Sequence, residues 1–185
     1  LRQAGLLQVR REGGTEYLDL ASSKAFAMVD HQFAHVYVRD TDPELVAELF
    51  AGSDEIPDII VGRERSVMGM EHLRSAPVIL ISRRDRWFAY PWWMEDAAAP
   101  PFARTVDIHG KPGYDPLELF IEMPSRTIPL DTSLVKGSHG APAVDPSQQA
   151  LLITTDPALL DGFGTTLRDT DVFTILCRAL GIEGK

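Results

Sequence analysis

Two stretches near the start of the chain, Lys24–Val29 and Ala34–Arg39, have the apolar, β-branched and aromatic character of strands. Asp30-His31-Gln32-Phe33 joins them, so the pair reads as a hairpin. The period then changes. Asp42 is placed to cap a helix, with Pro43 at its first position and Glu44 in its first turn; Leu45, Val46, Leu49 and Phe50 form one apolar face before Gly52. Such a helix packs on a sheet. Asp58–Gly62 reads as a short strand, and Pro77–Ser82 and Trp87–Tyr90 as stronger ones, separated by the charged turn Arg83–Arg86. Together these elements predict a β-β-α-β-β-β unit over about residues 21–93, with one helix on an antiparallel sheet.

The flanking segments are less regular. Leu1–Leu7 is amphipathic and reads as the end of a helix, and Glu12-Gly13-Gly14-Thr15 supplies a turn before Glu16–Leu20. Beyond Ala97-Ala98-Ala99-Pro100-Pro101, where the composition shifts to small residues and proline, a boundary is expected. Prolines interrupt the stretch 102–149, which leaves room for one short helix at Pro116–Phe120 capped by Asp115. Ala150–Thr154 reads as a buried strand. The last element is a helix with Thr170 as cap, Asp171 in the first turn, apolar residues Val172, Ile175, Leu176, Ala179 and Leu180 at helical spacing, and Gly181 as its stop.

Composition narrows the classes. A hydrophobic content of 44% is that of a globular chain, and no apolar run approaches the roughly 20 residues that span a bilayer. A formal net charge of -9 argues against a nucleic-acid surface, which needs a basic stripe. The single cysteine, Cys177, excludes an internal disulfide, falls on the apolar side of the last helix, and suits a reducing, cytoplasmic setting. The chain opens on Leu1 with none of the features of a signal peptide, and the expectation is that it is the later part of a longer protein.

Two Gly- and His-containing loops carry the candidate chemistry, Asp107–Pro116 and Lys136–Gly140. Glycine lets a backbone bend sharply and bring a ligand-type side chain up to a bound group. His139, between Ser138 and Gly140, is a candidate ligand; the alternative is an ordinary turn histidine. His109 and Lys111, flanked by Asp107 and Asp115, are candidates for substrate binding, with Lys111 on a phosphate, or for orienting a metal ligand; a salt-bridged connecting loop is the alternative. His31 reads as a turn residue and His35 as a core or cross-strand residue, with metal binding by the two, four residues apart, as the alternative; His72 reads as surface loop. Ser138 lacks the Gly-x-Ser-x-Gly setting of a nucleophile elbow. The aromatic run Trp87, Phe88, Tyr90, Trp92 and Trp93 reads as core with a partly exposed rim, or as the lining of a pocket.

The segment Ala103-Arg104-Thr105-Val106-Asp107-Ile108-His109-Gly110-Lys111-Pro112-Gly113-Tyr114-Asp115-Pro116-Leu117-Glu118-Leu119-Phe120, followed by Leu134-Val135-Lys136-Gly137-Ser138-His139-Gly140, resembles the C-terminal half of type I phosphodiesterase/nucleotide pyrophosphatase proteins of the alkaline phosphatase superfamily. Val29–Val38, Thr170–Phe173 and Leu180–Ile182 are similar to the same group. The resemblance implies an α/β architecture: an α+β cap with a small antiparallel sheet over residues 21–105, and the C-terminal part of an alkaline phosphatase-like core over residues 1–20 and 106–185. It further implies a metal-dependent phosphoester hydrolase with two divalent ions, commonly zinc, and a small phosphorylated substrate, a nucleotide among the candidates; a phosphomutase or sulfatase relative is a further alternative, since the superfamily spans these reactions. The histidine of a Gly-x-His-Gly loop is the last metal ligand in that group, a role that passes to His139. The nucleophile and the other ligands belong upstream of a segment like this one, so the chain alone is expected to be inactive. A rival expectation is a non-catalytic binding module derived from such a cap.

Overall fold

The structure, a computed structural model, describes residues 1–182 and is mixed α/β, with two small antiparallel sheets and few helices. The chain divides into two compact units, Leu1–Pro142 and a second that begins at Ala143. The alanine- and proline-rich stretch at Ala97–Pro101 lies inside the first unit.

Strands β1 (Gln8–Glu12) and β2 (Thr15–Asp19) form a two-stranded hairpin. Its turn, Gly13-Gly14, has φ of +56° and +88°, the pair of positive angles that a tight two-residue connection demands. The second sheet runs in the order β3 (Ala25–Asp30), β4 (Phe33–Val38), β6 (Val78–Ile81), β5 (Asp58–Val61), antiparallel throughout. Helix α1 (Pro43–Glu48) joins β4 to β5, and the short α2 (Glu64–Val67) follows β5.

Side-chain alternation gives this sheet two covered faces. Val29, Ala34, Val36, Val78 and Leu80 pack with Val46 and Ala47 of α1, while Ile60, Ile79 and Ile81 pack on the opposite face with Phe33, Met70 and Ala141. All four residues of β6 are buried, which explains why Pro77–Ser82 reads as an uninterrupted apolar run rather than an alternating one. A third cluster gathers Leu7, Trp92, Trp93 and Ala103.

The capping of α1 is as expected, with the Asp42 side chain accepting from the Glu44 N–H at 3.1 Å. Its apolar face is narrower than expected: Leu45 and Leu49 are half exposed, because a helix of only six residues turns one side to the sheet. Three expected elements are absent. Leu1–Leu7 forms successive turns rather than a helix end, and its Leu6 carbonyl is taken by the N–H groups of Lys24 and Ala25, at 2.7 and 3.1 Å. Trp87–Tyr90 is irregular chain: Phe88 N–H donates to the His31 carbonyl, Pro91 lacks a ladder donor, and Tyr90 packs edge-on against Trp92 and Trp93. Ala150–Thr154 is neither a strand nor buried, with Leu151 and Ile153 almost fully exposed.

In the second unit α3 spans Asp171–Ala179 and buries Ile175 and Cys177. Thr170 stands at the cap position without a side-chain bond; Asp171 instead accepts from the Arg168 N–H at 2.8 Å. The short helical turn at Pro116–Leu119 forms as expected, with Asp115 accepting from the Leu117 N–H at 3.0 Å.

Candidate functional site

The β3–β4 hairpin turn is where the two Gly- and His-containing loops meet. His31 and Gln32 are its central residues, since Asp30 pairs with Phe33 across the ladder. His31 adopts φ +54°, uncommon for a residue with a side chain, and is buried. Its carbonyl accepts from Phe88 N–H at 2.7 Å, which holds the turn from the other side.

The loop Asp107–Pro116 docks along β3. Val29 N–H donates to the Pro112 carbonyl at 3.2 Å and Tyr114 N–H to the Val29 carbonyl at 2.8 Å, a single parallel bridge centred on Gly113. The contact requires glycine: at φ +118°, a Cβ on Gly113 would lie 1.9 Å from the Val29 carbonyl oxygen. The docking lays the Tyr114 ring over His31, with centroids 4.9 Å apart.

The loop Lys136–Gly140 is pinned to the same turn. Gln32 N–H donates to the His139 carbonyl at 2.9 Å, and the His31 Nδ1 and Ser138 Oγ lie 3.0 Å apart, either atom able to donate. The His31 and His139 rings are tilted against each other at 4.0 Å between centroids. Gln32, itself buried, completes the clamp: its Nε2 donates to the carbonyls of Arg84 and Arg86 at 2.8 and 3.1 Å, and its Oε1 accepts from Ala141 N–H at 3.3 Å.

The electrostatics of the pair are uneven. Burial, and then the neighbouring His139, push the His31 pKa below the ordinary imidazole value, against a smaller upward pull from Asp30. His31 is thus neutral at pH 7 and can act as a hydrogen-bond partner for Ser138. His139 is exposed, and among the described residues its ring nitrogens make no hydrogen bond. A pinned backbone with an open imidazole is the arrangement a metal or ligand can use.

Lys111 is placed differently. Its side chain is buried, and its ammonium donates to the Thr105 carbonyl, Asp115 Oδ2 and Glu118 Oε1 at 2.8, 2.9 and 2.8 Å. Three donors meet three acceptors inside the loop, which leaves none for a bound phosphate. Tyr90 lies beside this group, and its phenol pKa is raised by burial and then by Asp115 and Glu118. His109 is exposed, with its N–H donating to Asp107 Oδ1 at 3.1 Å; among the described residues it has no contact with His31 or His139. His35 is a cross-strand residue whose Nδ1 accepts from Ala76 N–H at 3.2 Å.

Of the residues singled out from the sequence, Ser138 and His139 therefore converge with His31. His31, Gln32 and Tyr114 carry no role at this site in the sequence reading, although Tyr114 lies within the Asp107–Pro116 loop and His31 and Gln32 within the Val29–Val38 stretch. The available signal is indirect: a histidine and an amide forced into a two-residue turn where glycine or asparagine is usual. No family model, no curated protein and no solved structure matches the chain.

Proposed function

We propose that this chain is the cap and C-terminal part of a metal-dependent phosphoester hydrolase of the phosphodiesterase/nucleotide pyrophosphatase type, to which it contributes His139 as a metal ligand. The observation that carries the reading is the exposed His139 imidazole on a backbone tied to the hairpin turn through Gln32. Ser138 and His31 brace it from the neighbouring position.

The fit to the metals is partial. An imidazole without other duties is a suitable donor, but among the described residues no group of three or more His, Cys, Asp or Glu side chains is gathered to hold an ion. The reading accordingly places the nucleophile and the remaining ligands, for two divalent ions such as zinc, on chain upstream of Leu1, and the 185-residue chain alone is inactive. The rival, a free binding module using the aromatic rim, is weakened because Trp92 and Trp93 are core residues.

The test compares the protein extended upstream of Leu1 with its His139→Ala variant, for bound metal and for hydrolysis of bis(p-nitrophenyl) phosphate. A metal ligand supports several kcal/mol of charge stabilisation, so turnover drops by about a hundredfold or more and metal content drops with it. Unchanged metal content and turnover in the variant sink the assignment.

A further inference from the structure

We propose a second binding site, on the sheet face opposite α1, for a small oxyanion carried on an apolar or aromatic body. It is an open depression of about 360 Å³ lined by Phe33, His35, Met70, His72, Arg74 and Ser75. That volume falls within the range of small-molecule sites.

Strand alternation builds the floor. Ala34 and Val36 face α1, so Phe33 and His35 point the other way, and the Phe33 ring meets His35 edge-on at 5.0 Å. The segment Met70–Ala76 folds over this face. Tyr37 Oη–H donates to the Arg74 carbonyl at 3.0 Å, Ala76 N–H donates to His35 Nδ1, and Met70 packs on the isoleucine cluster.

Each polar side chain of the lining offers a donor. His35 Nδ1 accepts from Ala76 N–H and His72 Nδ1 accepts from Arg74 N–H at 3.1 Å, so each neutral ring carries its proton on Nε2. The Arg74 guanidinium makes no ion pair among the described residues. Ser75 Oγ is buried with no hydrogen-bond partner, as is Arg65 Nε behind it, where Arg65 Nη2 donates to the Ser75 carbonyl at 3.3 Å. The nearby carboxylate, Glu71, is taken by the Ser66 hydroxyl and does not line the depression. In a chain of net charge -9, a concavity lined by donors and by no carboxylate selects for an anion and against a cation or amine. Phe33 and Met70 supply the surface for the ligand's apolar part.

The site is independent of the role given to His139. The test titrates the 185-residue chain, at fixed ionic strength, with phenyl phosphate, benzoate and inorganic phosphate, following amide and imidazole resonances by NMR. Saturable shifts are expected at Phe33, His35 and Met70–Ala76, with phenyl phosphate or benzoate binding more tightly than inorganic phosphate, and the better of the two identifies the oxyanion. Arg74→Ala weakens binding roughly tenfold to a hundredfold through loss of a charge-assisted bond. Ser75→Ala weakens it while leaving the melting temperature unchanged or higher, since the hydroxyl has no partner in the free chain. His139→Ala binds all three probes as the parent does. Absence of saturable shifts, shifts centred elsewhere, or an Arg74→Ala variant that binds unchanged each overturn the proposal.

Discussion

Asp107–Pro116 and Lys136–Gly140 look alike as sequence, each a short loop with glycines, a histidine and a lysine, yet they are put to opposite uses. The first turns its charge inward: Lys111 is buried and its three donors are consumed by Thr105, Asp115 and Glu118. The second turns its ring outward, with its backbone held by Gln32 and the His139 nitrogens open. The distinction between a loop that fastens and one that leaves a side chain open lies in how many polar groups the loop itself supplies. Where carboxylates follow a lysine at short spacing, the loop satisfies its own cation; where the flanking residues are glycine, serine and glycine, it cannot.

The contrast can be broken at four points. Gly113→Ala has the largest effect, because its Cβ would collide with the Val29 carbonyl and force the first loop off β3. A loss of about 4 kcal/mol or more is expected, measured by urea denaturation. Lys111→Met follows at about 3 kcal/mol, since it strands two largely buried carboxylates. Adding Asp115→Asn to that variant recovers part of the loss, because one stranded charge is removed.

The third effect is one of pH. The pKa of His31 is lowered by burial and then by His139, and that of His35 by burial and then by Arg65. Both therefore stay neutral in the fold at pH values where the unfolded chain has begun to take up protons. Stability rises with pH through this window and falls as pH drops from about 6.5 toward the lower native values. Denaturation curves between about pH 5 and about pH 7.5 check the sign, and His35→Gln flattens the dependence. Smallest is His139→Ala, within about 0.5 kcal/mol of the parent by the same denaturation measurement, since the ring is exposed and bonds to nothing among the described residues. A large destabilisation there would make the second loop a fastening too.

Local signals were legible where one or two residues decide an element. Asp42-Pro43 and Asp115-Pro116 start their helical turns as read, and the Gly13-Gly14 and His31-Gln32 connections fall where strand patterning ends. Elsewhere tertiary partners decide the outcome. Trp87–Tyr90 has strand composition, but Tyr90 packs on the tryptophan cluster, Phe88 packs on the core beneath α1, and the Phe88 N–H goes to the His31 carbonyl. Ala150–Thr154 has an apolar run with no ladder partner among the described residues. The site was half legible: Ser138 and His139 carry a recognisable loop, whereas His31, Tyr114 and Gln32 join it only because the hairpin turn and two distant loops meet in space.

The tryptophan cluster determines what an optical experiment on this protein reports. Trp87, Trp92 and Trp93, and all four tyrosines, precede Pro142, while the chain from Ala143 onward has only phenylalanine as an aromatic. Intrinsic fluorescence therefore originates in the first unit, while α3 of the second contributes to far-ultraviolet dichroism. Two transitions that coincide in both signals would describe one cooperative molecule; a dichroic change with no change in emission would be the second unit unfolding unseen.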